Sequence, residues 1–150
     1  MERADATQEP DLLALDQQVC FALAVASRNV IALYRPILEP LGLTHPQYLV
    51  MLALWGTSPF TVRELGRLLS LEPATLSPLL KRLEALGLVT RGRHPRDDRA
   101  LAVDLTEEGR RLREKALAVP PQVIERLGMS IEELQGLHAA LTRVIEATRG

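Results

Sequence analysis

Residues 61–99 read TVRELGRLLSLEPATLSPLLKRLEALGLVTRGRHPRDDR and decide the fold. Thr61 and Glu64 have the spacing of a capping box, which predicts that a helix begins here. After a three-residue turn, Pro73 stands at a position typical of a first helical turn. Gly87 is a suitable residue to end this second helix. The stretch therefore predicts two short helices separated by a tight turn.

The second predicted helix has two contrasting faces. One face is an apolar stripe in which leucine recurs every three or four residues. The other face carries small, hydroxylated or basic side chains: Ala74, Thr75, Ser77, Lys81 and Arg82. Small and hydroxylated residues let a helix approach base edges, while lysine and arginine reach phosphates. These five residues are the predicted DNA-contacting positions of this helix.

A charged hairpin follows. Residues 88–91 and 100–105 are predicted as two strands, joined by a loop over residues 92–99. Residues 81–96 hold five Lys or Arg and one acid, although the whole chain has a net charge of −1. A positive charge concentrated in this way is typical of a phosphate-binding surface. The order helix, turn, helix, hairpin is that of a winged helix-turn-helix, which places one helix in the DNA major groove. The alternative is a helical bundle with a solvated basic loop.

Composition favours one mainly helical domain over residues 1–150, with too few cysteines for a disulfide framework. The single Cys20 is typical of a reducing cytoplasm. The polar N-terminus is unlike a signal peptide, and no apolar run is expected to reach the length of a membrane span. The histidines lack ligand spacing with one another or with Cys20, so we expect no metal and no cofactor. These features predict a cytoplasmic protein with no membrane partner.

Further helices flank the winged module, which is expected to cover residues 44–105. Residues 1–10 are expected to be disordered, and one helix is expected from Asp11 to about Arg35, where Pro36 disturbs it. Thr44 caps a helix through Gly56. After the hairpin, a helix begins at residue 106 and must kink or split at a double proline, and the last helix begins with a capping box at residues 130–133.

The expected fold is therefore mainly α, with about six helices and a two-stranded wing. The terminal segments, residues 11–40 and 106–148, carry apolar faces that a compact winged core leaves uncovered. A two-fold homodimer built from these helices would cover them.

Over roughly residues 11–148 the chain resembles the MarR family of transcriptional regulators. The resemblance is carried by ATLSPLLKRLEALGLVTR at 74–91, by the DDR that ends the wing, and by LTEEG at 105–109. It implies a dimeric repressor, not an enzyme, that binds an inverted-repeat operator in double-stranded DNA. It also implies that Arg99 enters the minor groove and that Asp97 braces it, with Arg93 and Arg96 beside them on the wing.

The segments VCFALAVASR at 19–28 and YRPILEPLGLTHPQYLVMLALW at 34–55 are similar to the OhrR branch, which senses organic hydroperoxides through one N-terminal cysteine. Cys20 matches that cysteine, and Tyr34 matches one of the tyrosines that hydrogen-bond its thiolate. His45 stands where a second tyrosine is usual, and Ala24 where an aromatic residue is common. His45 can donate a hydrogen bond, and a protonated His45 would favour the thiolate more than a phenol does.

Helix geometry adds a constraint on this site. Cys20 and Tyr34 are 14 positions apart, so they share a helix face but lie about 21 Å apart along one helix. They can meet only across a two-fold axis that crosses two such helices near Ser27. With no second cysteine, oxidised Cys20 would proceed to a mixed disulfide with a small thiol, to a sulfenamide or to higher oxides.

Four functions remain open on the sequence. The first is a repressor that leaves DNA when an organic hydroperoxide oxidises Cys20. The second is a repressor released by a small aromatic or phenolic ligand, with Cys20 structural. The third is a thiol peroxidase, and the fourth is a winged-helix module that makes only protein contacts.

Overall fold

The computed structural model describes the backbone of residues 11–94 and 97–149, and the side chains of this range except those of residues 94–100. The described chain contains seven α-helices: α1 (Val19–Leu38), α2 (His45–Gly56), α3 (Val62–Leu69), α4 (Pro73–Ala85), α5 (Glu107–Ala116), α6 (Val119–Leu127) and α7 (Ile131–Thr148). Its strands are β1 (Phe60–Thr61), β2 (Val89–His94) and β3 (Asp97–Leu105). The expected disorder of residues 1–10 lies outside the described residues.

The helix starts follow their side chains closely. Thr44, Thr61 and Ser130 each accept a hydrogen bond from the backbone N–H three residues later, at 3.1 to 3.4 Å. In each case the Gln or Glu at that third position accepts the N–H of the capping residue in return. The capping boxes predicted at Thr61 and Ser130 and the cap predicted at Thr44 are confirmed, and Thr44 also forms a complete box with Gln47.

The first helix begins and ends later than predicted. Residues 11–18 form a turn and a short 3-10 segment, in which the Asp11 carboxylate accepts the N–H of Leu13 at 3.0 Å and so competes with a helix. At the other end Pro36 lies inside α1 rather than ending it. Ile37 and Leu38 are almost fully buried, and their packing holds the last turn despite the lost backbone hydrogen bond.

The double proline splits the predicted helix after the wing. α5 ends at Ala116 and α6 begins at Val119, with the prolines in its first turn, where their missing N–H groups cost least. This division gives seven helices where about six were expected.

The wing is longer than predicted. The three strands form an antiparallel sheet in the order β1-β3-β2, and the two-residue β1 pairs Phe60 with Val103. β2 continues through Arg93 and His94, and β3 begins at Asp97, so most of the expected loop at 92–99 is strand. The prediction of a loop was wrong here. Hydrogen bonds between the backbones of two strands do not require alternating apolar side chains, so these charged residues can be strand without showing that pattern.

The core lies where α2, α3, α4 and the sheet meet. Its fully buried side chains are Leu38, Val50, Met51, Leu54, Leu65, Leu76, Leu80, Leu83, Val89, Val103 and Val119. α2 is central, as its apolar sequence predicted, although Leu52 is 43% exposed because one side of α2 faces outward.

The outer faces of α1 and α7 are uncovered. α7 buries none of its residues, and α1 buries only Ile37 and Leu38 although it packs against α6. The segment Val19–Leu41 is by length and composition alone apolar enough to cross a membrane, with a mean hydropathy of 1.3. We expected no apolar run to reach the length of a membrane span, and by length and composition this expectation was wrong. Arg28 and Arg35 interrupt the segment.

Candidate DNA interface and cysteine site

α4 presents the predicted DNA-contacting residues to solvent. Its leucines at 76, 80 and 83 are buried against the core. All five predicted positions on the other face are exposed: Ala74, Thr75, Ser77, Lys81 and Arg82. The helix thus offers small and hydroxylated side chains near its N-terminus and two cations further along, an arrangement suited to base edges and phosphates respectively.

The turn between α3 and α4 is tight. Ser70 ends α3 with φ of 55°, a left-handed conformation that non-glycine residues rarely adopt. A Cβ on Gly66 would lie 3.0 Å from the Leu71 carbonyl oxygen, so a glycine here lets the turn close against α3. This closeness fixes α4 relative to α3.

An ion pair joins α4 to the wing. The Arg91 guanidinium on β2 donates from Nε and Nη2 to the two carboxylate oxygens of Glu84, at 3.3 and 3.4 Å. The hydrogen bond from Arg91 lowers the pKa of Glu84. Sequence reasoning missed this pair, whose only signal is two opposite charges placed either side of the turn at Gly87. The pair connects the last turn of α4 to the first strand of the wing.

The wing residues are described unevenly. Arg93 is exposed on β2. Asp97 and Arg99 belong to β3, but their side chains lie outside the described residues, as does the whole of Arg96. The minor-groove role of Arg99 and the bracing role of Asp97 stay predictions.

A corner of the structure ties the end of α4 to the start of α5. Thr106 donates through Oγ1 to the Gly87 carbonyl at 2.6 Å and through its N–H to the Leu88 carbonyl at 3.1 Å. Gly109 packs so closely on this turn that a Cβ there would overlap the Leu88 carbonyl oxygen. The indole N–H of Trp55 on α2 donates to the Gly109 carbonyl at 2.8 Å. The corner therefore links α2, α4 and α5.

Lys81 tests the assignment of α4 to DNA. We expect Lys81→Ala to weaken binding to all DNA sequences and to reduce the slope of log affinity against log salt concentration by about one, because one phosphate contact is lost. Titrations at several salt concentrations, on operator and unrelated DNA, measure both effects. Arg126→Ala, which removes an exposed cation from α6, should leave the slope unchanged. Equal slopes for wild type and Lys81→Ala would contradict the assignment.

The structure places Cys20 and Tyr34 on one helix. Cys20 lies in the first turn of α1 and is exposed, while Tyr34 lies one turn before its end and is half-buried. The two residues thus belong to opposite ends of the same helix, as the spacing argument requires.

Tyr34 sits in an aromatic cluster with His45 and Tyr48. The ring centroids of Tyr34 and His45 are 4.8 Å apart, and those of Tyr34 and Tyr48 are 5.9 Å apart. Tyr34 and His45 were predicted as site residues, whereas Tyr48 was not. Tyr48 is 4% exposed and lies one turn after His45 on α2, a spacing that could have linked the two.

Burial determines the charge of this cluster. It raises the pKa of Tyr34, and it raises the pKa of Tyr48 with a further contribution from Tyr34. It lowers the pKa of His45 from 6.5. Desolvation therefore favours the neutral imidazole, in which His45 can still donate one hydrogen bond. The cluster offers phenol O–H groups and one imidazole N–H as neutral donors.

The lowered pKa of His45 has a consequence for stability. The unfolded chain binds a proton more readily than the folded chain, so folding stability falls as the pH drops below about 6.5 towards the folded-state pKa. We expect His45→Gln to flatten this dependence. Urea unfolding at about pH 7.5 and about pH 5.5 measures it. His138→Gln, at an exposed position on α7, is the control. If the free energy of unfolding of His45→Gln changed with pH as much as that of wild type, the expectation would be contradicted.

A cavity of about 280 Å³ opens between α2, α5 and the start of α6. It is lined by Tyr48, Leu52, Trp55, Gly56, Arg113, Ala116, Leu117 and Pro120. A larger groove runs beside α3 and the turn before α4, and it belongs to the DNA-binding module. Among the side chains that the structure describes, those of residues 11–93 and 101–149, no group of three or more His, Cys, Asp or Glu residues could hold a metal ion.

Comparison with known proteins agrees with this geometry. The family described as "Transcriptional regulator SarA/Rot" matches residues 32–116. The organic hydroperoxide resistance transcriptional regulator of Bacillus subtilis (strain 168) is 40% identical over 136 residues, which cover 91% of this chain and 92% of that protein.

Two solved structures show the same fold on DNA. Reduced AbfR, a Staphylococcus epidermidis protein, was solved bound to DNA; it is 34% identical, has a TM-score of 0.72, and the match covers 89% of this chain and 93% of that one. A cysteine-to-serine mutant of Escherichia coli MarR complexed with operator DNA is 25% identical, has a TM-score of 0.78, and covers 90% and 99% of the two chains. The chain therefore belongs to the MarR/SarA family of winged-helix, DNA-binding transcriptional regulators, which are not enzymes.

Proposed function

We propose that this protein is a cytoplasmic repressor that leaves its operator when an organic hydroperoxide oxidises Cys20. The observation that carries the proposal is the arrangement of α1. An exposed cysteine lies at one end, and a neutral Tyr34, His45 and Tyr48 cluster lies at the other. The similarity to a regulator of organic hydroperoxide resistance supports the choice of signal.

The proposed assembly is a homodimer in which two copies of α1 cross antiparallel near Ser27. This arrangement brings Cys20 of one copy to the aromatic cluster of the other, since Cys20 and Tyr34 are equally far from Ser27. It also covers the exposed Val19, Phe21 and Ile31 of α1 and the uncovered apolar face of α7. The apolar character of Val19–Leu41 is then that of an interface rather than of a membrane span.

The chemistry needs a thiolate held by hydrogen-bond donors. Tyr34 and His45 are the proposed donors, since burial raises the pKa of the phenol and lowers the pKa of the imidazole, and both neutral groups carry a hydrogen that can stabilise an anion. The Cys20 thiolate attacks the outer peroxide oxygen: an S–O bond forms, the O–O bond breaks, and the leaving alkoxide takes a proton to become an alcohol. Sulfur is oxidised by two electrons to sulfenic acid, and the peroxide is reduced.

Oxidation then changes the interface. Sulfenic acid lacks the negative charge that the donors hold, so their hydrogen bonds weaken. A small thiol can next form a mixed disulfide with loss of water, and this adduct needs volume that a packed interface lacks. Both changes favour a dimer in which the spacing of the two α4 helices no longer matches successive major grooves.

The test measures DNA binding of the wild-type protein by fluorescence anisotropy on a fragment upstream of its own gene. Binding followed by release after one equivalent of cumene hydroperoxide per subunit supports the proposal. Binding without release favours the repressor gated by a small aromatic ligand, for which the cavity beside Trp55 offers a place. Turnover of many equivalents with excess thiol favours a peroxidase, and absence of DNA binding favours a protein-contact module.

A further inference from the structure

His45 differs in its chemistry from the two tyrosines of its cluster. It is the first residue of α2 and is partly buried, and its ring centroid lies 4.8 Å from that of Tyr34. A neutral imidazole carries one N–H donor and one bare nitrogen that can take up a proton. Burial raises the pKa of Tyr34 and of Tyr48, so both phenols stay protonated at neutral pH. His45 is therefore the group of this cluster that can accept a proton and return it.

The surroundings of His45 favour a proton that is held only briefly. Tyr34 faces it from α1, and Tyr48 lies one turn further along α2, and both are uncharged near neutral pH. Burial lowers the pKa of His45, without a contribution from a charged side chain among the described residues. A lowered pKa makes the imidazolium a stronger acid than that of a free histidine, so it gives up its proton readily.

The proposed oxidation of Cys20 has one proton to move. A thiol becomes nucleophilic when it loses its proton, and the alkoxide that leaves an alkyl hydroperoxide must gain one. A single group that contacts both the sulfur and the leaving oxygen can carry the proton from one to the other. The antiparallel crossing of two α1 helices near Ser27 would bring Cys20 of one copy to the cluster that contains His45 of the other.

We infer that His45 carries this proton, first as general base and then as general acid. Its bare nitrogen takes the proton of the Cys20 thiol, and the thiolate attacks the outer peroxide oxygen. The S–O bond forms as the O–O bond breaks, and the outer oxygen keeps its hydrogen in the sulfenic acid. The inner oxygen takes the proton from His45 and leaves as an alcohol. Sulfur loses two electrons, the peroxide gains them, and His45 ends neutral. The inference rests on the proposed function of Cys20 and adds a residue that takes part in its chemistry.

Two oxidants with different leaving groups test the inference. Cumene hydroperoxide leaves as an alkoxide that needs a proton, whereas perbenzoic acid leaves as a carboxylate that does not. The rate of Cys20 oxidation in the full-length protein is followed by rapid quenching and mass spectrometry. We expect His45→Gln, which keeps an N–H donor but does not titrate, to slow the reaction with cumene hydroperoxide by about 100-fold at neutral pH. With perbenzoic acid the rate should stay within about threefold of wild type, because water can ionise the thiol and the leaving group needs no acid.

The dependence of the rate on pH gives a second readout. For wild type and cumene hydroperoxide, the rate should be flat between about pH 6.5 and about pH 8, because the proton moves within the site. In His45→Gln it should rise about tenfold per pH unit with the thiolate fraction. His45→Asn is a second variant that does not titrate, and it should behave as His45→Gln does. His138→Gln, at an exposed position on α7, is the matched control and should follow wild type.

Two results overturn the inference while leaving the proposed function intact. One is a loss of rate in His45→Gln and His45→Asn that is equal for the two oxidants, or no loss at all. The other is a wild-type rate that already rises about tenfold per pH unit across this range, which needs no variant to be seen. Failure of both oxidants to oxidise Cys20 in wild type overturns the inference and the proposed function together.

Discussion

Replacing Cys20 with serine is expected to leave DNA affinity within about twofold of wild type and to abolish release by organic hydroperoxide. Cys20 is exposed and belongs to no part of the described core, so the change of one atom costs the fold little. A serine hydroxyl does not reduce a peroxide, so the proposed switch has no trigger. For wild type we expect oxidation to lower affinity by about 5–150-fold, the range of typical allosteric coupling.

Fluorescence anisotropy with operator DNA, before and after cumene hydroperoxide, measures both quantities. Ala22→Ser places a hydroxyl at another exposed position of the same helix turn and keeps the cysteine, so it should release as wild type does. Release of Cys20→Ser by peroxide as readily as wild type would show that the cysteine is structural. The repressor gated by a small aromatic ligand would then be the better explanation.

The largest loss of stability is expected from Gly109→Ala. The added Cβ would overlap the Leu88 carbonyl oxygen and lie 3.2 Å from a methyl carbon of Leu105. The Leu88 carbonyl also accepts the N–H of Thr106, so it cannot move away without breaking that bond. We expect the free energy of unfolding to fall by about 1–3 kcal/mol, the usual cost of overpacking.

Urea unfolding at one fixed protein concentration checks this value. Gly56→Ala is the matched control, because a Cβ at the end of α2 meets no atom within 4 Å. Its free energy of unfolding should stay within about 0.5 kcal/mol of wild type. A Gly109→Ala variant as stable as this control would mean that α5 can move away from the turn at little cost.

Local features of the fold were predictable, because their causes lie within a few residues. Thr61 and Glu64 cap the same helix, and Pro73 opens the next, so the helix-turn-helix follows from short-range rules. The longer wing was missed because Arg93 and His94 show no apolar alternation. The survival of α1 past Pro36 was missed because it depends on tertiary burial of Leu38.

Contacts between distant residues were not predictable from the chain. The bond from Trp55 to Gly109 spans 54 positions, and nothing in its neighbours specifies it. The same holds for the cavity, whose cation and aromatic walls come from different helices. For Cys20 and Tyr34 the spacing excluded contact within one chain, but which residues gather around Tyr34 required the fold.

The bare apolar face of α7 has a thermodynamic consequence. A helix that buries none of its own residues within its chain takes its stability from whatever covers it. In the proposed dimer a second copy covers this face of α7. Because dimerisation depends on concentration, the free energy of unfolding rises with the concentration of the protein. Operator DNA holds two copies together, so it would add to this stabilisation at the low concentrations at which a repressor works. The melting temperature would then depend on the protein concentration and on the fraction of protein bound to operator DNA, as well as on the amino-acid sequence.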